Sequence, residues 1–422
     1  MTSGKSLRVA SITYDYYPFD VRVRRLAESA AGAGCEMDVI CLRDTGESAY
    51  EIYNGVNIFR APFSRGFGES LTSNVIGWLR FALASGALVT RLHARKPYDV
   101  IVVHNMPDFL IFAALVPKAL GAKVVLDVQD VTPELIAARA SGRRRAALKW
   151  VAGVQERVST WFADMVLTVG WPFEAKLLER SVPPRKLWSV LNSADPGIFP
   201  ASNRFSAEDA LRPVTAPHDD TAPFIVMYWG TVAQRNGLTT ALRALALALP
   251  DAPNLRLDIM GVGRGDEMSR LHQLAEDLGI TERVRYFDPV PSERIVDFIT
   301  HGDAGIVPYR EDGFADLVLP TKAYEMAWLR RPIIASNTVA IRSMFRPESI
   351  ALCQPDDPSS FATALVDLYH HPEKRRAMVE SASEDYEPYR WEMMSQRYTA
   401  LLADLARSGG PFRVTEPLPS RA

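Results

Sequence analysis

Short apolar runs rich in β-branched residues alternate with helical patterns along almost the whole chain. That alternation restricts the fold to α/β, with parallel sheets built from βαβ units. Strands are expected at Leu7–Tyr14, Glu36–Leu42, Val56–Arg60, Tyr98–Val103, Lys123–Val128, Met165–Val169 and Leu187–Leu191. Helices fill the gaps, including one that Asp20 can cap and Gly34 ends, and others at Pro107–Leu120 and Phe173–Glu179. The pattern stops over residues 200–223, rich in Pro, Ala, Ser and Asp, which reads as a linker. A second series begins at Phe224–Trp229 and continues with strands at Leu255–Met260, Val284–Phe287, Ala304–Val307, Pro332–Ala335 and Ile350–Leu352. Two helical stretches follow, roughly Ser359–Tyr369 and Tyr389–Ala406, and the residues from Ser408 on read as a disordered tail.

A length of 422 residues suits two domains. The expected division is 1–199, a linker at 200–223, a second domain at 224–388, a helix at 389–407 and a tail at 408–422. Apolar residues at 47% and charged residues at 23% argue against disorder. With 48 Lys and Arg against 50 Asp and Glu, the net charge of -2 gives no general attraction to nucleic acid. Cys35, Cys41 and Cys353 are scattered, with neither a disulfide framework nor a metal spacing, which fits a reducing compartment. No signal peptide is visible, and no apolar run is expected to reach the ~20 residues that span a bilayer.

Open α/β sheets place ligands at the carboxyl ends of their strands. The sharpest signal there is Tyr228 to Gly237, a strand running into a loop with two glycines and one arginine before a helix. Gly230 permits close backbone approach, free amides at the helix start attract anions, and Arg235 can grip a phosphate. The same residues also fit an ordinary βα turn with a solvated Arg. A second signal is Leu319-Pro320-Thr321-Lys322 to Glu325, where Lys322 and Glu325 share a helix face. A cation near a helix start is unfavourable unless an anion neutralises it, so a bound phosphate is an economical explanation for Lys322. The plain alternative is a surface Lys–Glu pair. Gly261 and Gly263 after the Leu255–Met260 strand permit a close turn against a nucleotide.

In the first half, Asp127 to Glu134 follows an apolar strand and brings Gln129, Asp130 and Glu134 to its carboxyl end. Asp20 fits a helix cap better than a catalyst. Arg22 is open to reading as a phosphate or acceptor contact, or as a solvated side chain. His104 and Asn105 end another strand.

Taken in order, these segments resemble retaining glycosyltransferase family 4, of the GT-B fold, over nearly all of residues 7–407. The likeness is closest to a bacterial branch that builds exopolysaccharides and cell-surface glycans. The segments that carry it are Asp20-Val21-Arg22-Val23, Asp127 to Glu134, Leu191 to Asp195, Gly230 to Gly237, Met260 to Gly263 and Leu319 to Glu325. The resemblance implies two Rossmann-like domains facing across a cleft, with the final helix packing back on the first. It implies donor diphosphate binding by Arg235 and Lys322, ribose binding by Glu325, and close approach to the phosphates by Gly230 and Thr231. Further donor contacts are implied at Gly261, Gly263, Asp316, Leu319, Pro320 and Thr321. The acceptor is implied to bind the first half, at Asp20, Arg22, Asn105, Asp130 and Glu134. The chain departs from the family pattern at Thr231, Asn236, Leu317 and Gln129. At the first two of these, many members carry Arg and Lys, and at the last a His.

The reaction so implied is metal-independent transfer of a sugar from a UDP- or GDP-sugar to a glycan or lipid-linked acceptor, with no cofactor and no nucleic-acid partner. The expected location is the cytoplasm, at the inner face of the cell membrane. Ile76 to Leu83 and Arg143 to Trp150 combine apolar and basic residues in a way that fits an anionic membrane surface. They also fit a core helix and a solvated face. The alternatives are an inactive nucleotide- or glycan-binding scaffold and a GT-B nucleotide-sugar epimerase.

Overall fold

The computed structural model describes residues 6–64, 71–139, 142–200, 222–291 and 294–407. Most of the expected linker and the tail from 408 lie outside the described residues, as do the side chains of Arg143 and Arg144. The chain forms two compact units. One comprises the residues up to Asn192 together with the helix residues from Glu392, and the other is Ser193–Trp391.

The first unit runs β1 (Arg8–Ile12), α1 (Val21–Gly32), β2 (Glu36–Cys41), β3 (Tyr50–Tyr53), β4 (Val56–Arg60), α2 (Leu71–Arg95) and β5 (Val100–His104). A 3-10 turn (Asp108–Ala114), α3 (Leu115–Ala119), β6 (Lys123–Val128), α4 (Thr132–Arg139), α5 (Gly142–Phe162), β7 (Met165–Thr168), α6 (Trp171–Glu179) and β8 (Leu187–Ser189) follow. Its strand order is β3-β4-β2-β1-β5-β6-β7-β8. The inner strands are buried on both faces, which explains their unbroken apolar runs. Asp20 caps α1, accepting from the amides of Arg22 and Val23 at 3.0 and 3.1 Å. β3 is an addition to the expected strands and pairs antiparallel with β4. Asn54 and Gly55, both at positive φ, form the two-residue hairpin turn between them. The helix expected at Pro107–Leu120 is instead mostly 3-10, with only α3 in α geometry.

The second unit holds β9 (Phe224–Trp229), α7 (Leu238–Ala248), β10 (Leu255–Met260), α8 (Glu267–Asp277), β11 (Val284–Phe287), α9 (Ile295–His301) and β12 (Ala304–Val307). It continues with α10 (Thr321–Trp328), β13 (Ile333–Ser336), α11 (Val339–Met344), β14 (Ala351–Cys353), α12 (Pro358–His370) and α13 (Pro372–Tyr386). The strands are parallel in the order β11-β10-β9-β12-β13-β14. Chain order reverses between β9 and β12, the switch point where such sheets open a crevice at their carboxyl ends. Leu242, Leu245, Phe361 and Leu365 fill the core between α7 and α12. The last helix, α14 (Trp391–Arg407), returns to the first unit. There the Leu191 amide meets Met394 Sδ at 3.4 Å, and the Arg397 guanidinium covers the Trp188 ring.

Ser73–Arg95 within α2 is long and apolar enough to cross a membrane by length and composition, with mean hydropathy 1.3. The expectation that no run reaches that length fails here because Arg80 and Arg91 are the only Asp, Glu, Lys or Arg in residues 73–94. One side of α2 packs inward through Phe81, Ser85 and Val89.

Asp108, in the 3-10 turn, is buried, and its Oδ1 accepts from Asn105 Nδ2 and Thr132 Oγ1 at 3.0 and 3.1 Å. Burial pushes its carboxyl up to about 6, against these hydrogen bonds and the Arg180 charge. The folded state therefore holds this proton where the unfolded state has lost it. Stability from this group is full below pH ~4 and falls as pH rises through about 6, by about 3 kcal/mol. Asp108→Asn is expected to flatten that part of the profile, read as urea-unfolding free energies at pH 4.5 and pH 7.5.

Candidate functional site

At the carboxyl end of β9 the chain turns through Gly230, at φ +106°, a conformation that favours glycine. The neighbouring turn after β10 begins at Gly261. A Cβ there would lie 1.9 Å from the Gly230 carbonyl oxygen, so the two turns touch backbone to backbone. The Gly230 amide donates to Met260 O at 2.9 Å and the Val232 amide to Val262 O at 2.9 Å, which locks the pair together. Beside them opens a cavity of about 340 Å³, lined among others by Trp229, Thr231, Val262, Pro289, Val290 and Glu325. Its wall is mostly apolar, and Glu325 supplies its carboxylate. Trp229 Nε1 donates to Glu325 Oε2 at 2.7 Å, which orients that carboxylate.

Two cations flank this turn. Lys322 stands in the first turn of α10, whose N-cap Pro320 makes no side-chain capping bond. A Cβ on residue 230 would be 3.1 Å from Lys322 Nζ, so glycine lets the ammonium lie against the loop backbone. The same Nζ lies 4.9 Å from the centre of the Tyr228 ring. Arg235, from the loop after β9, packs its guanidinium 5.7 Å from the Phe314 ring centre, and the Arg310 amide donates to its carbonyl at 3.0 Å. Burial pushes the Tyr228 phenol well up, while the Arg235 charge pulls the other way. The Tyr228 hydroxyl donates to the Thr231 carbonyl at 2.6 Å.

Other expected donor residues do different work. Asp316 Oδ1 accepts the Val339 amide at 2.8 Å and so serves the start of α11. Gly263 pairs with Val232 in an isolated bridge, and its missing Cβ makes room for Met268 Cγ at 2.4 Å. Leu319, Pro320 and Thr321 lead into α10 and are outside the residues named as cavity wall. Pro289, Val290, Ile295, Ile198 and Phe199 also line the cavity without a signal in the sequence, and Tyr228 and Trp229, inside the Tyr228 to Gly237 segment, carry no individual role there. The signal for Trp229 was its place as the last residue of a strand.

In the first unit, Asp20, Arg22, Asn105 and Glu134 of the expected acceptor side have partners within the protein. Arg22 is buried rather than solvated. Its Nε and Nη2 grip Asp127 at 2.9 and 2.6 Å, and its Nη1 donates to Val190 O and Asn192 Oδ1 at 2.8 Å each. Burial opposes ionisation of Asp127, but the Arg22 charge and hydrogen bonds from Arg22 and His104 hold its carboxyl well below the usual range. His104 Nδ1 lies 2.8 Å from Asp127 Oδ2 and its Nε2 2.7 Å from Ser11 Oγ. Gln129 joins this group, its Nε2 3.3 Å from His104 Nδ1. Asn105 ties three segments together: its Nδ2 donates to Asp108 and to Asp130 O, and its Oδ1 accepts the Gln129 amide. Glu134 is paired with Arg180, which also grips Glu156 at 2.6 Å. Among the described residues, no three His, Cys, Asp or Glu side chains gather as metal ligands.

Arg22→Ala would leave Asp127 charged and buried without its partner. A loss of roughly 3–5 kcal/mol of folding stability is expected. Denaturant unfolding of the variant checks this.

Residues 20–192 match the glycosyl transferase 4-like domain and residues 215–385 match glycosyl transferases group 1. The D-inositol 3-phosphate glycosyltransferase of Thermomonospora curvata is 23% identical, over 92% of this chain and 94% of its own. That of Thermobispora bispora is 22% identical, over 95% and 96%. Among solved structures, sucrose-phosphate synthase from Thermosynechococcus elongatus aligns with TM-score 0.72 at 18% identity, covering 94% of this chain and 99% of the other. Anabaena HepE in complex with UDP-glucose aligns with TM-score 0.68 at 14% identity, over 94% and 99%. The two domain matches together span most of the chain and the shared fold runs its length: this protein belongs to the glycosyltransferases of the GT-B fold, with a family 4-like first domain.

Proposed function

We propose that this glycosyltransferase takes its sugar from a UDP- or GDP-sugar, retains the configuration at the transferred carbon, and needs no metal. The observation that carries this reading is the Lys322 ammonium held against the Gly230 turn and the Tyr228 ring, at the end of β9 where a cavity lined in part by Glu325 opens. The cavity's apolar wall suits a base, Glu325 suits ribose hydroxyls, and the glycine turns suit a diphosphate. UDP-glucose in the HepE structure supports a uridine donor.

In the proposed step the bond from sugar C1 to the diphosphate oxygen breaks, and its electron pair leaves with the diphosphate. The acceptor hydroxyl bonds to C1 on the face the diphosphate departs from, and its proton passes to the leaving phosphate. Charge grows on that phosphate, and fixed cations lower the barrier by ~3 kcal/mol each. Lys322, Arg235 and the uncapped start of α10 supply that field without reorganisation. Gln129, in the first unit, hydrogen-bonds toward His104 and Asp127 and offers a neutral polar group there. The acceptor is proposed to be a glycan or lipid-linked glycan in surface polysaccharide synthesis, handled in the cytoplasm by the first unit.

Arg235→Ala is expected to cut turnover of a UDP- or GDP-sugar on the order of 100-fold while leaving the unfolding temperature unchanged. Unaltered turnover would sink the assignment. Nucleotide binding without any turnover in the native protein would mark a scaffold instead, and release of a free isomerised sugar would mark an epimerase. Gly261→Ala forces a Cβ onto the Gly230 carbonyl and should abolish the thermal stabilisation by UDP or GDP.

A further inference from the structure

We propose that α2, the Asp108–Leu120 segment and α5 of the first unit form a docking face for an anionic lipid bilayer. The proposal rests on the function above only for its purpose, which is to bring the enzyme to lipid-linked acceptors. The segments adjoin one another. A Cβ on Gly86 of α2 would lie 3.4 Å from Ala113 Cα, so α2 packs closely on the 3-10 turn. Phe112 of that turn meets Phe162 of α5 with ring centres 5.1 Å apart, and Lys118 Nζ sits 5.1 Å over the Phe162 ring.

Each segment then leaves large apolar side chains in water. Leu83 of α2 is 77% exposed, and Leu115 and Leu120 are also exposed. On α5, Trp150 and Trp161 are 70% and 76% exposed, with Val154 and Val158 between them. Spacings of four, four and three put these residues on one stripe of the helix, about 16 Å from the first Trp to the last. Exposed apolar side chains scattered singly are ordinary, but a contiguous face of them marks an interaction site.

Charge selects the occupant. Overall the protein has a net charge of -2, yet the only carboxylates in these three segments are Asp108 and Glu156, and both are buried. Arg80 and Arg157 are exposed beside these apolar residues, and Arg145 and Lys149 are exposed further round α5. A second copy of the same face would oppose cations to cations. Anionic headgroups would neutralise them, while Trp and Leu enter the acyl boundary.

The full chain is to be sedimented with vesicles of phosphatidylcholine alone and of phosphatidylcholine with phosphatidylglycerol. Pelleting with the anionic vesicles is expected, and the Lys149→Ser/Arg157→Ser variant should lower the partition coefficient roughly 30-fold. Trp150→Ser/Trp161→Ser, at exposed sites, should lower it as well without changing the unfolding temperature. No pelleting with anionic vesicles, equal pelleting with neutral ones, or binding unchanged in both variants would overturn the proposal. So would self-association that the Trp variant abolishes, which would assign the face to a second copy. Stabilisation by UDP or GDP without vesicles tests the donor site separately, so failure of one proposal is distinguishable from failure of the other.

Discussion

The close approach of Gly230 and Gly261 is the constraint on which the second unit's site depends. The carbonyl oxygen of one turn occupies the space a side chain on the other would need. That contact draws the ends of β9 and β10 together and leaves the cavity beside them. Any L side chain at 261 would push the turns apart. Any L side chain at 230 would also meet the Lys322 ammonium and a positive φ. Two residues without side chains thus set where an ammonium, a carboxylate and an indole can stand.

The two units use charge in opposite ways. In the second, Lys322 and Arg235 are half-buried and rest against aromatic faces. In the first, Arg22 spends its charge inside the protein on Asp127, and His104 and Gln129 gather on the same carboxylate. Such a buried pair is weak as a source of net stability but costly to break, so it pins the start of α1 to the ends of β6 and β8. Asn105 and Asp108 extend the same polar layer along the carboxyl edge of the sheet. Arg22 and Asn105 thus help to frame that edge.

The strands were legible because inner strands of parallel sheets are buried on both faces and read as continuous apolar runs. Asp20 was legible as a cap because the capping partners lie two and three residues away. β3 was not, since an exposed edge strand lacks the apolar run, although Asn54-Gly55 carried a hairpin signal. In the site, Gly230, Lys322 and Glu325 could be found from turns and helix spacing. The true partners of Arg22 and Glu134 could not, because Asp127 is 105 residues away and Arg180 is 46. Trp229 escaped for another reason: a strand's last residue looks like core whether or not it also faces a ligand.

The return of α14 to the first unit has a consequence for synthesis of the chain. Tyr398, Leu401 and Leu402 are buried, and Tyr398 is close enough to feel the charges of Asp127 and Arg22. The second unit is one continuous stretch and can mature as soon as it leaves the ribosome. The first, although translated before it, must wait for α14 to cover it. Until then its unfinished surface is the portion of the nascent protein that chaperones have most reason to hold.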